Sequence, residues 1–187
     1  MHFRSFCRWL LVCCLLAGIV AAVLHLYRWS RPYGDRTGFI QGTLLGLRRY
    51  AAEHEGWFPK SAGTPLKCLQ ELNPKYLDDP VLLAGVSGNI EQLKQTLRDN
   101  RPLDETVSSW VYWPGFKEDD KIGTNLIAIL WEKKEGVSGS GKRTKGIAVG
   151  LSNGSWRQVS LAEWNEFQAE QGRLRAELVA KRKGESK

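Results

Sequence analysis

The spacing of apolar residues changes character along the chain. Trp9 to Tyr27 (WLLVCCLLAGIVAAVLHLY) contains no Asp, Glu, Lys or Arg. A bilayer core of about 30 Å takes about 20 apolar helical residues, so the run predicts a transmembrane helix over 9–29. Trp9, Tyr27 and Trp29 stand where interfacial aromatics belong. A cleaved signal peptide has an apolar stretch of about 7–15 residues followed by a small-residue cleavage site. This run is longer and ends in bulky, basic residues, so an uncleaved anchor is the reading.

Beyond Pro32-Tyr33-Gly34 the period becomes helical. Phe39, Ile40, Leu44, Leu47, Tyr50 and Ala51 recur at three- and four-residue spacings. They predict an amphipathic helix over 37–54, closed by Gly56 and Pro59. Gly38, Gly42 and Gly46 lie four apart and predict a small face against a neighbouring element. Leu66, Leu69 and Leu72 mark a short helix stopped by Asn73-Pro74. Tyr76 to Pro80 reads as a turn into Val81-Leu82-Leu83. Asn89 is placed to cap a helix from Ile90 to Arg98, with Ile90, Leu93 and Leu97 inward.

The second half reads as strands. Ser109 to Trp113 is aromatic and β-branched, and Pro114-Gly115 ends it. Leu126 to Trp131 is one continuous apolar run. Glu132 to Lys145 is a polar loop. Gly146–Ser152 and Ser155–Ser160 flank Asn153-Gly154, a strong hairpin signal. Ser160 and Glu163 form a capping box that opens a terminal helix with Leu161, Trp164 and Phe167 on one face. The tail after Leu178 is basic and is expected to fray. These elements predict an α+β domain with a three- or four-stranded antiparallel sheet.

Composition adds one point. The 187 residues are 42% hydrophobic and 25% charged, which excludes a wholly disordered chain. The formal charge of +7 suggests nucleic acid only until it is located. Residues 1–34 hold Arg4, Arg8, Arg28 and Arg31 and no acid, and 173–187 hold six bases against two acids. The middle is nearly neutral, whereas a nucleic-acid domain concentrates Lys and Arg on its folded face. No nucleic-acid partner is expected.

Several motifs resemble catalytic ones without their context. Gly150-Leu151-Ser152-Asn153-Gly154 matches the nucleophile-elbow pattern, which needs a strand-to-helix turn and a later His; here a hairpin is expected, and no His follows His54. Gly136 to Arg143 approaches a P-loop, but Arg143 replaces the Mg²⁺-binding hydroxyl. Glu118-Asp119-Asp120 offers oxygens to calcium without the EF-hand spacing; a solvated turn is the plainer reading. His54 and Cys68 as base and nucleophile lack an orienting third group. Cys68 is the only cysteine outside the N-terminal segment, so the later part has neither an internal disulfide nor a zinc knuckle. Trp57, Trp110, Trp113, Trp131, Trp156 and Trp164 have no basic patch near them in sequence, so packing is expected. The catalytic, cofactor and metal sets are therefore each read as none.

The order of these segments resembles type II secretion pseudopilins and type IV pilin-like proteins. The resemblance lies in one apolar N-terminal helix, a helix ending Leu47-Arg48-Arg49-Tyr50-Ala51-Ala52-Glu53-His54-Glu55-Gly56-Trp57-Phe58-Pro59, then LQELNPKYLDDP (Leu69 to Pro80). Gly146 to Val159 is similar to their terminal hairpin with its closing helix. The family's peptidase motif is absent: residues 1–34 hold no acid, and Gly38-Phe39 follows the apolar run rather than preceding it.

The resemblance implies a pseudopilin-like domain whose amphipathic helix packs on a small antiparallel sheet. The expected organisation is a cytoplasmic N-terminus (1–8), a transmembrane helix (9–29), a linker (30–36), a periplasmic pilin-like domain (37–170) and a basic C-terminal helix or tail (171–187). The expected role is a single-pass, inner-membrane, non-enzymatic structural component of a type II secretion or pilus-like system. Its partners would be the bilayer, through 9–29, and other secretion or pilus-like membrane proteins. The alternative is a tethered periplasmic binding module or sensor using an aromatic surface around Trp110, Trp113 and Trp131.

Overall fold

The computed structural model describes residues 16–23, 36–60, 63–133 and 146–185. Residues 1–34 and 35–187 form two units. In the first, helix α1 covers 16–23, with Leu16, Ile19, Val20 and Val23 exposed.

Among the described residues, no helix is long and apolar enough to cross a membrane. This overturns the expected transmembrane helix over 9–29, and with it the single-pass and inner-membrane, periplasm-facing assignments. The rest of 9–29, the N-terminus 1–8 and most of the linker 30–36 lie outside the described residues.

The second unit is α+β. Its elements are α2 (Arg36–Glu53), α3 (Pro65–Gln70), a 3-10 turn (Pro80–Ala84) and α4 (Ile90–Arg98). Then come β1 (Trp110–Tyr112), β2 (Lys121–Ile122), β3 (Asn125–Leu126), β4 (Ala128–Glu132), β5 (Gly146–Leu151), β6 (Trp156–Ser160) and α5 (Trp164–Glu185). The main sheet runs β1-β4-β5-β6, antiparallel throughout, and β2-β3 is a separate hairpin.

Helix α2 forms as its spacing predicts. Ile40, Leu44, Leu47 and Ala51 are fully buried, and Leu44 lies over Gly150 of β5. The small face of α2 is used. A Cβ on Gly42 would meet Leu82 at 2.8 Å, and one on Gly46 would meet Leu77 at 2.5 Å. Leucines from the 76–84 segment thus close directly on the helix backbone. Asn89 caps α4, its Oδ1 accepting from the Gln92 N–H at 3.0 Å, which satisfies one orphan donor of the first turn.

The opposite sheet face is covered by α5. Ala128, Trp131, Ile147, Val149 and Val159 pack there with Phe167, flanked by Trp164. Gln171 is buried beside them; its Oε1 accepts from the Ala128 N–H at 2.7 Å. The sheet is therefore a middle layer between helices, so both faces of β4 and β5 are buried. That explains why β5 lacks polar alternation.

Four expectations change. Ile90, read as facing inward on α4, is exposed. Leu126 to Trp131 is not one strand: β3 and β4 belong to different sheets, with Ile127 between them. Residues 121–126 form a hairpin that short polar segments did not signal. The tail after Leu178, expected to fray, is helical: α5 continues to Glu185, and its Leu174 and Leu178 are buried.

Candidate functional site

The turn after α2 builds the most chemically varied region. Gly56 adopts φ 81°, where a side chain is strained, and directs the chain back toward the residues before β2. The Phe58 N–H donates to the Phe116 carbonyl at 3.0 Å, and the Glu118 N–H to the Gly56 carbonyl at 2.7 Å. This leaves Trp57 and Lys117 paired in an isolated antiparallel bridge. It is the non-hydrogen-bonded kind, in which facing side chains approach most closely.

Three cations converge on the half-buried Trp57 ring. Lys60 Nζ lies 3.4 Å from its centroid, Lys117 Nζ 4.7 Å and the Arg182 guanidinium 4.9 Å. Each is within the range of a cation–π contact. Arg182, from α5, is also held by Asp120, at 2.5 and 2.6 Å to its two oxygens, and donates to the Gly115 carbonyl at 3.0 Å. Asp120 accepts the Lys117 backbone N–H as well. Trp57, Lys117, Asp119, Asp120, Lys121 and Arg182, with Leu178 and Lys181, line an open pocket of about 510 Å³.

A second polar cluster lies at the end of α2. His54 stacks on Tyr50 at 3.7 Å between ring centroids, and its Nδ1 lies 2.7 Å from the Tyr50 carbonyl. Tyr50 donates to Glu71 at 3.1 Å. Burial first, then the Glu71 charge, pushes the Tyr50 hydroxyl up to about 12. Glu53 accepts from Lys75 and, at 2.9 Å, from the Tyr76 hydroxyl. These hydrogen bonds hold its carboxyl below the usual range. The cluster ties α2 to the 71–76 segment.

The catalytic look-alikes take structural places. Ser152 is buried, and its hydroxyl donates to the Asp120 carbonyl at 2.6 Å. It stands in the β5–β6 turn, where Gly154 (φ 78°) lies against the Arg48 side chain, and no helix follows directly. Glu118 pairs with Arg48 at 2.7 Å and Asp120 with Arg182, so guanidinium groups occupy carboxylates considered for calcium. Among the described residues, no group of three or more His, Cys, Asp and Glu could hold a metal ion. Cys68 is buried and free, and no hydrogen bond joins it to His54 among the described residues. The P-loop-like stretch Gly136 to Arg143 lies outside the described residues.

Of the aromatic surface considered at Trp110, Trp113 and Trp131, Trp110 and Trp113 line one cavity of about 370 Å³ and Trp131 does not. Trp110 is buried on the α2 side, its Nε1 donating to the Leu82 carbonyl at 2.7 Å. Trp131 is buried on the α5 side, edge-on to Trp113 at 4.7 Å. Arg175 of α5 covers Trp113 and donates to the Ala128 carbonyl at 2.5 Å. Burial lowers its guanidinium to about 8.

Sequence reasoning missed the Trp57 cluster. Lys117 and Arg182 come from segments far from Trp57 in the chain, and Lys60, three residues on, is a single base rather than part of a basic run. Comparison of the chain with protein-family models, with curated proteins and with solved structures finds no match.

Proposed function

We propose that the α+β unit is a non-enzymatic structural component of a type II secretion or pilus-like system and works through contacts with other proteins. One observation carries the reading: α2 lies along one face of an antiparallel sheet and then turns at Gly56. In the resemblance, the helix ending Leu47 to Pro59 has that position. The buried row Ile40, Leu44, Leu47 and Ala51 fixes the helix on the sheet, and Gly42 and Gly46 let the 76–84 segment close over it. The polar groups that could have served chemistry are engaged structurally: Ser152 with Asp120, His54 with Tyr50, and Glu118 with Arg48.

Deletion of the gene in the native host tests this reading. The expected result is loss of an exported protein or of a pilus-like fibre, restored by the wild-type chain. Normal export and normal fibres in the deletion strain contradict it.

A further inference from the structure

The pocket at Trp57 has an unbalanced set of charges. Among the described residues, the lining Lys117 and Lys121 make no ion pair, nor does Lys60, which lies over the Trp57 ring outside the lining, while Arg182 is already neutralised by Asp120. Lys60 and Lys117 meet on one indole that the bridge to Lys117 and the turn at Gly56 hold in place. Neither ammonium group has a carboxylate partner among the described residues, so a bound anion is attracted to both. Arg182 is fixed by four contacts from Asp120, Gly115 and Trp57, so the floor of the pocket is rigid. Rigidity lowers the entropy lost on binding.

We propose that this pocket binds an acidic segment of a partner protein. The pocket's own acids decide between polyanions. Asp119 and Asp120 stand among the cations, and Asp119 makes no ion pair among the described residues. Nucleic acids and sulfated glycans carry closely spaced negative charge and favour uninterrupted basic tracks. A peptide places backbone N–H groups between its carboxylates, so it meets Asp119 with donors while its acids meet Lys60, Lys117 and Lys121. The half-buried Trp57 indole adds apolar contact, and Trp and Arg are enriched at interaction hot spots. The proposal rests on the protein-contact reading for the nature of its partner, and on the pocket alone for its chemistry.

The test is a fluorescence-anisotropy titration of the full chain with a fluorescein-labelled glutamate-rich peptide. A heparin-derived oligosaccharide and a single-stranded oligothymidylate of equal charge run in parallel. Peptide binding is expected to weaken at least about tenfold in the Lys60→Glu/Lys117→Glu variant. Lys94→Glu, on α4, changes charge elsewhere and is expected to leave affinity within about twofold. Trp57→Leu, which keeps every charge, is expected to weaken the peptide severalfold. Absence of peptide binding by the wild-type chain overturns the proposal. Equal weakening by Lys94→Glu overturns it as a general charge effect. Tighter binding of the oligosaccharide or the oligothymidylate at the same residues overturns it in favour of that polymer. Failure of this titration leaves the deletion phenotype untouched, and failure of the deletion phenotype leaves the titration standing.

Discussion

Trp57 and Lys117 face each other across an isolated antiparallel bridge, and the Lys117 ammonium lies 4.7 Å from the indole centroid. The bridge sets the pair and the Gly56 turn sets the bridge. A double-mutant cycle with Trp57→Leu and Lys117→Met is expected to return a coupling of about 0.5–1 kcal/mol. Urea denaturation of the four proteins measures it. Strict additivity would show that the ring and the ammonium do not interact.

Asp120 joins the end of α5 to the segment before β2. It accepts from Arg182 and from the Lys117 N–H, and its side chain is only 11% exposed. Asp120→Ala is expected to cost about 1.5–3 kcal/mol, the range for hydrogen bonds to a charged group. Amide exchange should speed up most around Arg182. Unchanged protection there would mean that α5 is held by its other contacts, among them Phe167, Gln171, Leu174 and Leu178, without help from Asp120.

Glu132 is fully buried at the end of β4, on the sheet face opposite α5. It accepts from the Val86 N–H at 2.9 Å and from the Ser109 hydroxyl at 2.7 Å. Glu132→Ala leaves the Val86 N–H without its acceptor, takes from the Ser109 hydroxyl the nearer of its two acceptors (the Ala84 carbonyl at 3.1 Å remains) and opens a cavity, so a loss of about 3 kcal/mol is expected in chemical denaturation. Glu132→Gln keeps one oxygen acceptor and is expected to lose less. Equal losses would show that packing, not donor satisfaction, sets the cost.

The Glu53 carboxyl is held below its ordinary value by hydrogen bonds from Lys75 and then Tyr76. Its stabilising contribution is therefore complete above the unfolded pKa, about 4.3, and is lost as pH falls through the folded value. Lys75 is raised by the same pair, so its contribution is lost only as pH rises through its folded value, above about 10.4. Glu53→Gln is expected to flatten the thermal-stability profile below about pH 4.3. An unchanged acid limb would assign that limb to other carboxylates.

Periodic burial was legible in the sequence. The rows that build α2, the Asn89 cap and the Asn153-Gly154 hairpin are local signals, and each element forms where its signal lies. The length of α5 was not legible, because Arg182 reads as a tail residue until Asp120 and Gly115 are seen beside it. The break between β3 and β4 was hidden by Ile127, an apolar residue inside an apolar run. The Trp57 pocket was invisible for a related reason: a long-range bridge, not a local motif, brings Lys117 to the ring. The apolar run over 9–29 marked hydrophobicity correctly, but hydrophobicity alone does not yield a membrane-crossing helix among the described residues.

Site-specific photo-crosslinking in the native host, with the photoreactive residue at position 121 beside the Trp57 pocket, tests the contact reading most directly. The account predicts a specific adduct with a component of a secretion or pilus-like system, joined through an acidic stretch of that component. The adduct should disappear in the Lys60→Glu/Lys117→Glu background. Adducts only with unrelated proteins, or an adduct unchanged by that double substitution, would contradict it.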